Sequence, residues 1–236
     1  MRYKVVIFDL DGTLLPMDQA EFLQNYFPYL TAKMAPYGFD PKELADSIWK
    51  GTGRMVVNDG SRTNEDVFWE YFAERYGSDS LKYKSVFEEY YANEFCKTKE
   101  ICGYEPLAKP IVDRLKAAEK RLALATNPVF PRMAIDLRVT WAGLEPSDFD
   151  LITSYETSHY SKPNPEYYRE IADCLGIDPL ECLMVGNDVT EDMVASTIGM
   201  ETFLVTGCLI NTKDIDISGF RKGMFEDLSK YLDELL

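Results

Sequence analysis

The sequence predicts a doubly wound α/β domain, built on a parallel sheet, with an all-helical domain inserted after its first strand. Three observations carry this. The apolar run Val5-Val6-Ile7-Phe8 is unbroken, the pattern of a strand covered on both faces. In the long stretch after it, apolar side chains recur three and four apart, with no convincing strand. From Ile101 onward strand and helix patterns alternate, as βαβ units do.

The first strand stops at Asp9-Leu10-Asp11-Gly12-Thr13. Two carboxylates one residue apart thus stand where the chain must turn, and ligands of open α/β sheets bind beyond the carboxyl ends of such strands. Acids this close repel unless they share a proton or a hard cation lies between them, and a magnesium ion fits that need. Gly12 permits a sharp turn, and Thr13 can hydrogen-bond the turn or a carboxylate.

Apolar spacing then predicts helices over 19–36, 41–50, 64–76 and 80–97. Pro16-Met17-Asp18 and Gly103-Tyr104-Glu105-Pro106 carry turn residues at the shift in composition. They bound a helical cap of 17–103 and a core of 1–16 and 104–236. The cap holds more than half of the aromatic residues, among them Phe22, Tyr26, Trp49, Phe68 and Phe87, read as the cap's own packing. In the core the pattern predicts a helix over 107–120, a strand over 121–125, a helix over 131–140 and a strand over 150–153. A helix over 165–175, a strand over 182–185, a helix after Asp188 and a strand over 202–205 follow, and 207–223 is the least legible part.

The formal charge of −15, with acids spread along the chain, argues against nucleic acid and anionic membranes as partners. No segment reaches the roughly 18–20 apolar residues of a membrane span. Met1-Arg2-Tyr3-Lys4 leads into the first strand without a signal-peptide pattern, so a cytoplasmic protein is expected. Cys96, Cys102, Cys174, Cys182 and Cys208 form no C-x-x-C pair and are expected to be reduced and mostly buried. His159 has no Cys or His partner nearby in sequence and is assigned no catalytic role.

Three later strand ends carry polar groups: Thr126-Asn127, Ser161-Lys162-Pro163 and Gly186-Asn187-Asp188. A parallel sheet brings all of them to the edge that holds Asp9 and Asp11. In this ordered set the chain resembles the haloacid dehalogenase superfamily over essentially its whole length. The likeness is to its phosphatases with a helical cap, such as phosphoglycolate phosphatase. Asp9-Leu10-Asp11-Gly12-Thr13 is similar to the first motif, Thr126 to the second, Lys162 to the third, and Gly186-Asn187-Asp188 with Asp192 to the acidic fourth.

The resemblance implies a Rossmann-like core and a magnesium-dependent phosphatase acting on a small phosphorylated metabolite. It makes Asp9 the nucleophile and Asp11 the acid and base. Thr126 and Lys162 hold the phosphoryl group, with backbone N–H groups near Leu10 and Asn127 as helpers. Magnesium falls to the Asp9 carboxylate, the Asp11 carbonyl and Asp188, with Asn187 or Asp192 in the outer shell. Many members read Gly-Asp where this chain has Gly186-Asn187-Asp188, and Asp188 is expected to be the direct ligand. Dehalogenation is disfavoured, because phosphoryl-transfer members need an acid at the position of Asp11.

In the cap, Lys50-Gly51-Thr52-Gly53-Arg54 and Asn58-Asp59-Gly60-Ser61-Arg62 are expected to bracket a loop between helices. Arg54, and with it Arg62, is the specificity candidate, since a guanidinium suits a carboxylate or second phosphate. Asp18 serves either as a gate or as the cap of the next helix. Three alternatives stand beside the phosphatase: a phosphomutase of the same superfamily, a phospho-acceptor module, and a binding protein without turnover.

Overall fold

Six parallel strands form one sheet in the order β3-β2-β1-β4-β5-β6. They are β1 (Val5–Phe8), β2 (Arg121–Leu124), β3 (Leu151–Ile152), β4 (Cys182–Gly186), β5 (Glu201–Val205) and β6 (Arg221–Gly223). The computed structural model describes residues 3–235; Met1, Arg2 and Leu236, at the outer ends of the expected core segments, lie outside the described residues.

β1 is central, with Phe8 in register with Leu124 on one side and Val185 on the other. Its side chains alternate between two apolar layers. Val6 and Phe8 join the larger core, whereas Val5 and Ile7 pack with Tyr167, Ile171 and Met184 on the opposite face. A strand buried on both faces has no polar side to show, which is why its sequence is unbroken. With every strand parallel, the residues after β1, β2 and β4 emerge at one edge.

The insert after β1 carries α1 (Gln19–Met34), α2 (Pro41–Val56), α3 (Asn64–Tyr76) and α4 (Lys84–Asn93). The core adds α5 (Ala108–Ala117), α6 (Arg132–Trp141), α7 (Pro165–Leu175) and α8 (Phe225–Asp233). The two connections between insert and core run side by side, since Gly103 N–H donates to the Pro16 carbonyl at 2.7 Å. Asp18 caps α1 by accepting from Glu21 N–H at 2.9 Å.

The structure departs from expectation in several elements. α2 does not stop at Lys50 but continues to Val56, so Gly51-Thr52-Gly53-Arg54 is helix and only the second half of the expected loop is loop. A Cβ at Gly51 would stand 2.8 Å from the Phe68 ring, so glycine there lets α3 press against α2. That packing outweighs the ~1 kcal/mol cost of glycine in a helix. The helix expected over 80–97 is divided into a 3-10 segment, α4 and a second 3-10 segment, Phe95–Ile101. The helix expected after Asp188 is a 3-10 segment, Met193–Ile198. Of the five cysteines only Cys182 is buried, and Cys96 and Cys174 are exposed.

Nor are the cap aromatics a core of their own. Phe22, Tyr26, Phe95, Phe130 and Trp141 belong to one cluster that runs from cap into core. Phe95, fully buried, stacks on Trp141 at 5.4 Å and meets Phe22 edge-on at 6.1 Å. Phe95→Ala is therefore expected to cost about 3–5 kcal/mol of global stability, read by urea unfolding, with cap and core losing structure in one transition.

Candidate active site

Asp9 continues β1, its N–H donating to the Val185 carbonyl at 2.9 Å. The chain then turns tightly: Thr13 and Leu15 N–H both donate to the Leu10 carbonyl. Gly12 sits at φ +87°, and a Cβ there would meet Asn187 Nδ2 at 2.3 Å. The turn therefore brings the first and fourth motifs into contact. Thr13 Oγ1 lies 3.0 Å from both Asp9 Oδ2 and Asn187 Oδ1.

Lys162, buried, reaches across to Asp9. Its Nζ donates to Asp9 Oδ1 at 2.7 Å and to Asp192 Oδ1 at 2.6 Å. Burial works against the ammonium, but Asp192 and Asp9 hold its pKa well above the usual lysine range. Burial pushes the Asp9 carboxyl up to about 7; Lys162 pulls the other way, and Asp192 and Asp11 add to the rise. Tyr167 and Tyr168 on α7 brace this arrangement, donating to the carbonyls of Thr126 and Glu191, each at 2.8 Å.

The fourth motif divides its work. Asp192 accepts from Lys162, from the Tyr168 hydroxyl at 3.4 Å and, through Oδ2, from Asp188 N–H at 2.9 Å. Asp188 Oδ1 accepts from Thr190 and Glu191 N–H, and burial raises its pKa. Asn187 Nδ2 donates to the Cys208 carbonyl at 2.6 Å, and Ile210 pairs with Asn187 and Val189 through the backbone. The illegible stretch 207–223 thus clamps this motif from outside.

Arg138, on α6, was absent from the expected site. It is 1% exposed, and its Nη1 donates to Asp11 Oδ2 while its guanidinium lies over the Phe130 ring at 4.6 Å. It occupies a position on the inward stripe of α6 between Ala134, Ile135 and Val139. A charged residue on an apolar stripe demands a partner, and that was the available signal. Glu191 was also missed; it accepts from Asn127 Nδ2 at 3.3 Å, and burial raises its pKa.

These groups form the floor of a cavity of about 290 Å³ that opens between cap and core. Its lining includes Asp9, Asp11, Thr126, Asn127, Lys162 and Asp188. Arg54 and Arg62 are not in it. Arg54 lies on the exposed face of the cap near Glu74 and over Tyr71, and Arg62 pairs with Glu70 at 2.7 Å. His159 bonds Glu170 at 2.6 Å and is likewise outside the cavity.

The family of haloacid dehalogenase-like hydrolases matches the chain over residues 3–196. The chain belongs to that family. Pyrophosphatase PpaX of Bacillus velezensis is 24% identical over 85% of this chain and 82% of its own. Phosphoglycolate phosphatase of Neisseria gonorrhoeae is 28% identical over 86% and 80%. The 2-haloacid dehalogenase of Pseudomonas syringae pv. tomato superposes with a TM-score of 0.66 at 21% identity, covering 99% of this chain and all of its own, a likeness of fold.

Whether this hydrolase suits a cation is decided by its charges. The cavity is lined by Asp9, Asp11, Asp188, Glu191 and Asp192 against Lys162 and Arg138 alone. Asp11 Oδ1 is buried with no hydrogen-bond partner. The donors are oxygens, which suit a hard ion. Among the described residues no three acidic, His or Cys side chains converge into a cage. Magnesium uses one or two carboxylates and fills its shell from water, carbonyl and phosphate oxygens. The residues fit. No helix among the described residues is long and apolar enough to cross a membrane.

Two predictions follow from these contacts. Lys162→Met leaves Asp192 buried without its cation and is expected to cost about 3–5 kcal/mol in urea unfolding. For Asp9, the folded protein binds the proton more tightly than the unfolded chain, whose carboxyl titrates near 3.8. Its contribution to wild-type stability therefore falls as pH rises from about 4 to about 7, then levels off. In chelator-treated protein Asp9→Asn should melt above wild type at pH 8, with the gap closing toward pH 4.

Proposed function

We propose that this hydrolase is a magnesium-dependent phosphatase that cleaves a small phosphorylated metabolite through an aspartyl-phosphate on Asp9. The observation that carries this reading is the ammonium of Lys162 held between Asp9 and Asp192 at the end of β1. It puts a fixed positive charge beside a carboxylate, the pairing that phosphoryl transfer needs.

In the first step a carboxylate oxygen of Asp9 forms a bond to phosphorus. The phosphorus–oxygen ester bond breaks, and its electron pair leaves on the alcohol oxygen, which takes a proton from Asp11. In the second step a water oxygen bonds to phosphorus, its proton passes to Asp11, and the bond to Asp9 breaks to release inorganic phosphate. Arg138 holds Asp11 Oδ2 and so orients its carboxyl for both transfers. Thr126 and Asn127, on the rim after β2, together with the backbone near Leu10, face the phosphoryl oxygens in this reading.

Magnesium would be held by the Asp9 carboxylate, the Asp11 carbonyl and Asp188, with Asn187 or Asp192 behind, and would neutralise the acids so that a phosphate dianion can approach. The acid at position 11 supports phosphoryl transfer over displacement of a halide. In this reading 17–103 closes over 1–16 and 104–236 and excludes water from the phosphoryl group. A cytoplasmic setting suits a reaction on soluble metabolites.

Phosphate release from a panel of monoesters with magnesium tests the proposal. Asp9→Asn should show no turnover, and Asp11→Asn should lose about 10²–10⁴ in kcat. Activity surviving in Asp9→Asn, or isomerisation of a sugar phosphate without net release, would defeat it.

A further inference from the structure

The cavity has a charged floor and an apolar roof. Phe22, Phe27, Ile48, Trp49 and Phe68 from the cap face Phe130 from the core. None of the cap residues that line it is charged. The hydroxyls of Tyr26 and Tyr91 are bonded to each other at 2.7 Å, which uses one of their two O–H donors and brings no charge to the roof. The two cations in the lining belong to the floor: Lys162 is held by Asp9 and Asp192, and Arg138 gives Nη1 to Asp11, its Nη2 staying buried on the core side without a partner.

A substrate bound with its phosphoryl group at Asp9 must place the rest of itself against this roof. A second carboxylate or phosphate there would lose its water and meet no cation on the roof. An apolar group would gain by burial against the same rings. Size narrows the choice further. A cavity of about 150 Å³ accepts benzene, so about 290 Å³ accommodates one ring together with a phosphoryl group.

We propose that the substrate is the phosphate monoester of an uncharged, predominantly apolar alcohol about the size of a single aromatic ring. This rests on the cavity being the phosphomonoester site, and it sets the chain apart from an enzyme whose substrate carries a second charge.

Benzyl phosphate, phosphoglycolate and glycerol phosphate are suitable probes because all three leave as alkyl alcohols, so that intrinsic reactivity does not decide the comparison. With magnesium, kcat/KM for benzyl phosphate is expected to exceed that for the other two by at least about tenfold, chiefly through KM. Trp49 is half exposed at the roof. Trp49→Ser should therefore fold and should raise KM for benzyl phosphate while leaving that for phosphoglycolate nearly unchanged. Thr52→Arg, which adds a cation to the lining, should shift the ratio toward phosphoglycolate. Equal or faster turnover of phosphoglycolate or glycerol phosphate by the wild type would overturn the substrate class and leave the phosphatase intact. With Asp9→Asn, a larger rise in Tm from benzyl phosphate than from phosphoglycolate would uphold the class even without turnover, which would count against hydrolysis alone. No release from any probe and no such rise would overturn the class.

Discussion

A lysine ammonium buried between two aspartates is the contact on which the rest of this structure depends. Lys162 joins the segment before α7 to the end of β1 and to the turn after β4. In a buried setting neither the ammonium nor the carboxylates can turn to water, so each must keep its partner. The supports around it follow from that need. Tyr167 and Tyr168 hold the neighbouring carbonyls, and Asn64 from the cap donates to Ser161 Oγ at 3.0 Å, one residue before the lysine. The helical insert is thereby tied to the loop that delivers the charge.

The same site carries more acid than base, and its roof carries neither. Burial raises the cost of ionising Asp9, and the neighbouring carboxylates add to it, a condition that a divalent cation relieves. The roof excludes charge by being built of rings, and those rings continue into the core cluster through Phe95, Phe130 and Trp141. One apolar network thus stabilises the junction of the two parts and shapes the chamber between them.

Particular elements show how far the chain could be read in advance. α3 and α7 were legible to the residue because each begins with a capping side chain, Thr63 or Asn164, and keeps a regular apolar spacing. The exit of α2 was not, because its glycines read as a turn, and only the contact with Phe68 shows what Gly51 is for. β6 escaped notice since Arg221-Lys222-Gly223 has no apolar face, and its place at the edge of the sheet asks for none. Arg54 and Arg62 looked suited to anion binding, yet α2 and the loop after it turn both to the exposed surface. Arg138 attracted no attention in a stretch read as an ordinary helix, and it is the guanidinium that meets Asp11.

By itself the sequence determined the strand that ends in two aspartates, the alternation that makes the sheet parallel, and the polar residues at the later strand ends. Those are local matters: side-chain period, turn chemistry and chain direction, each legible within a few residues. Only the tertiary structure decided which charges pair, that Asp192 shares Lys162 with Asp9, that Arg138 and not a cap arginine enters the site, and that the chamber is roofed by aromatic rings. These are contacts between residues far apart in the chain, as Lys162 and Asp9 are, and no local pattern encodes a distance that packing alone sets.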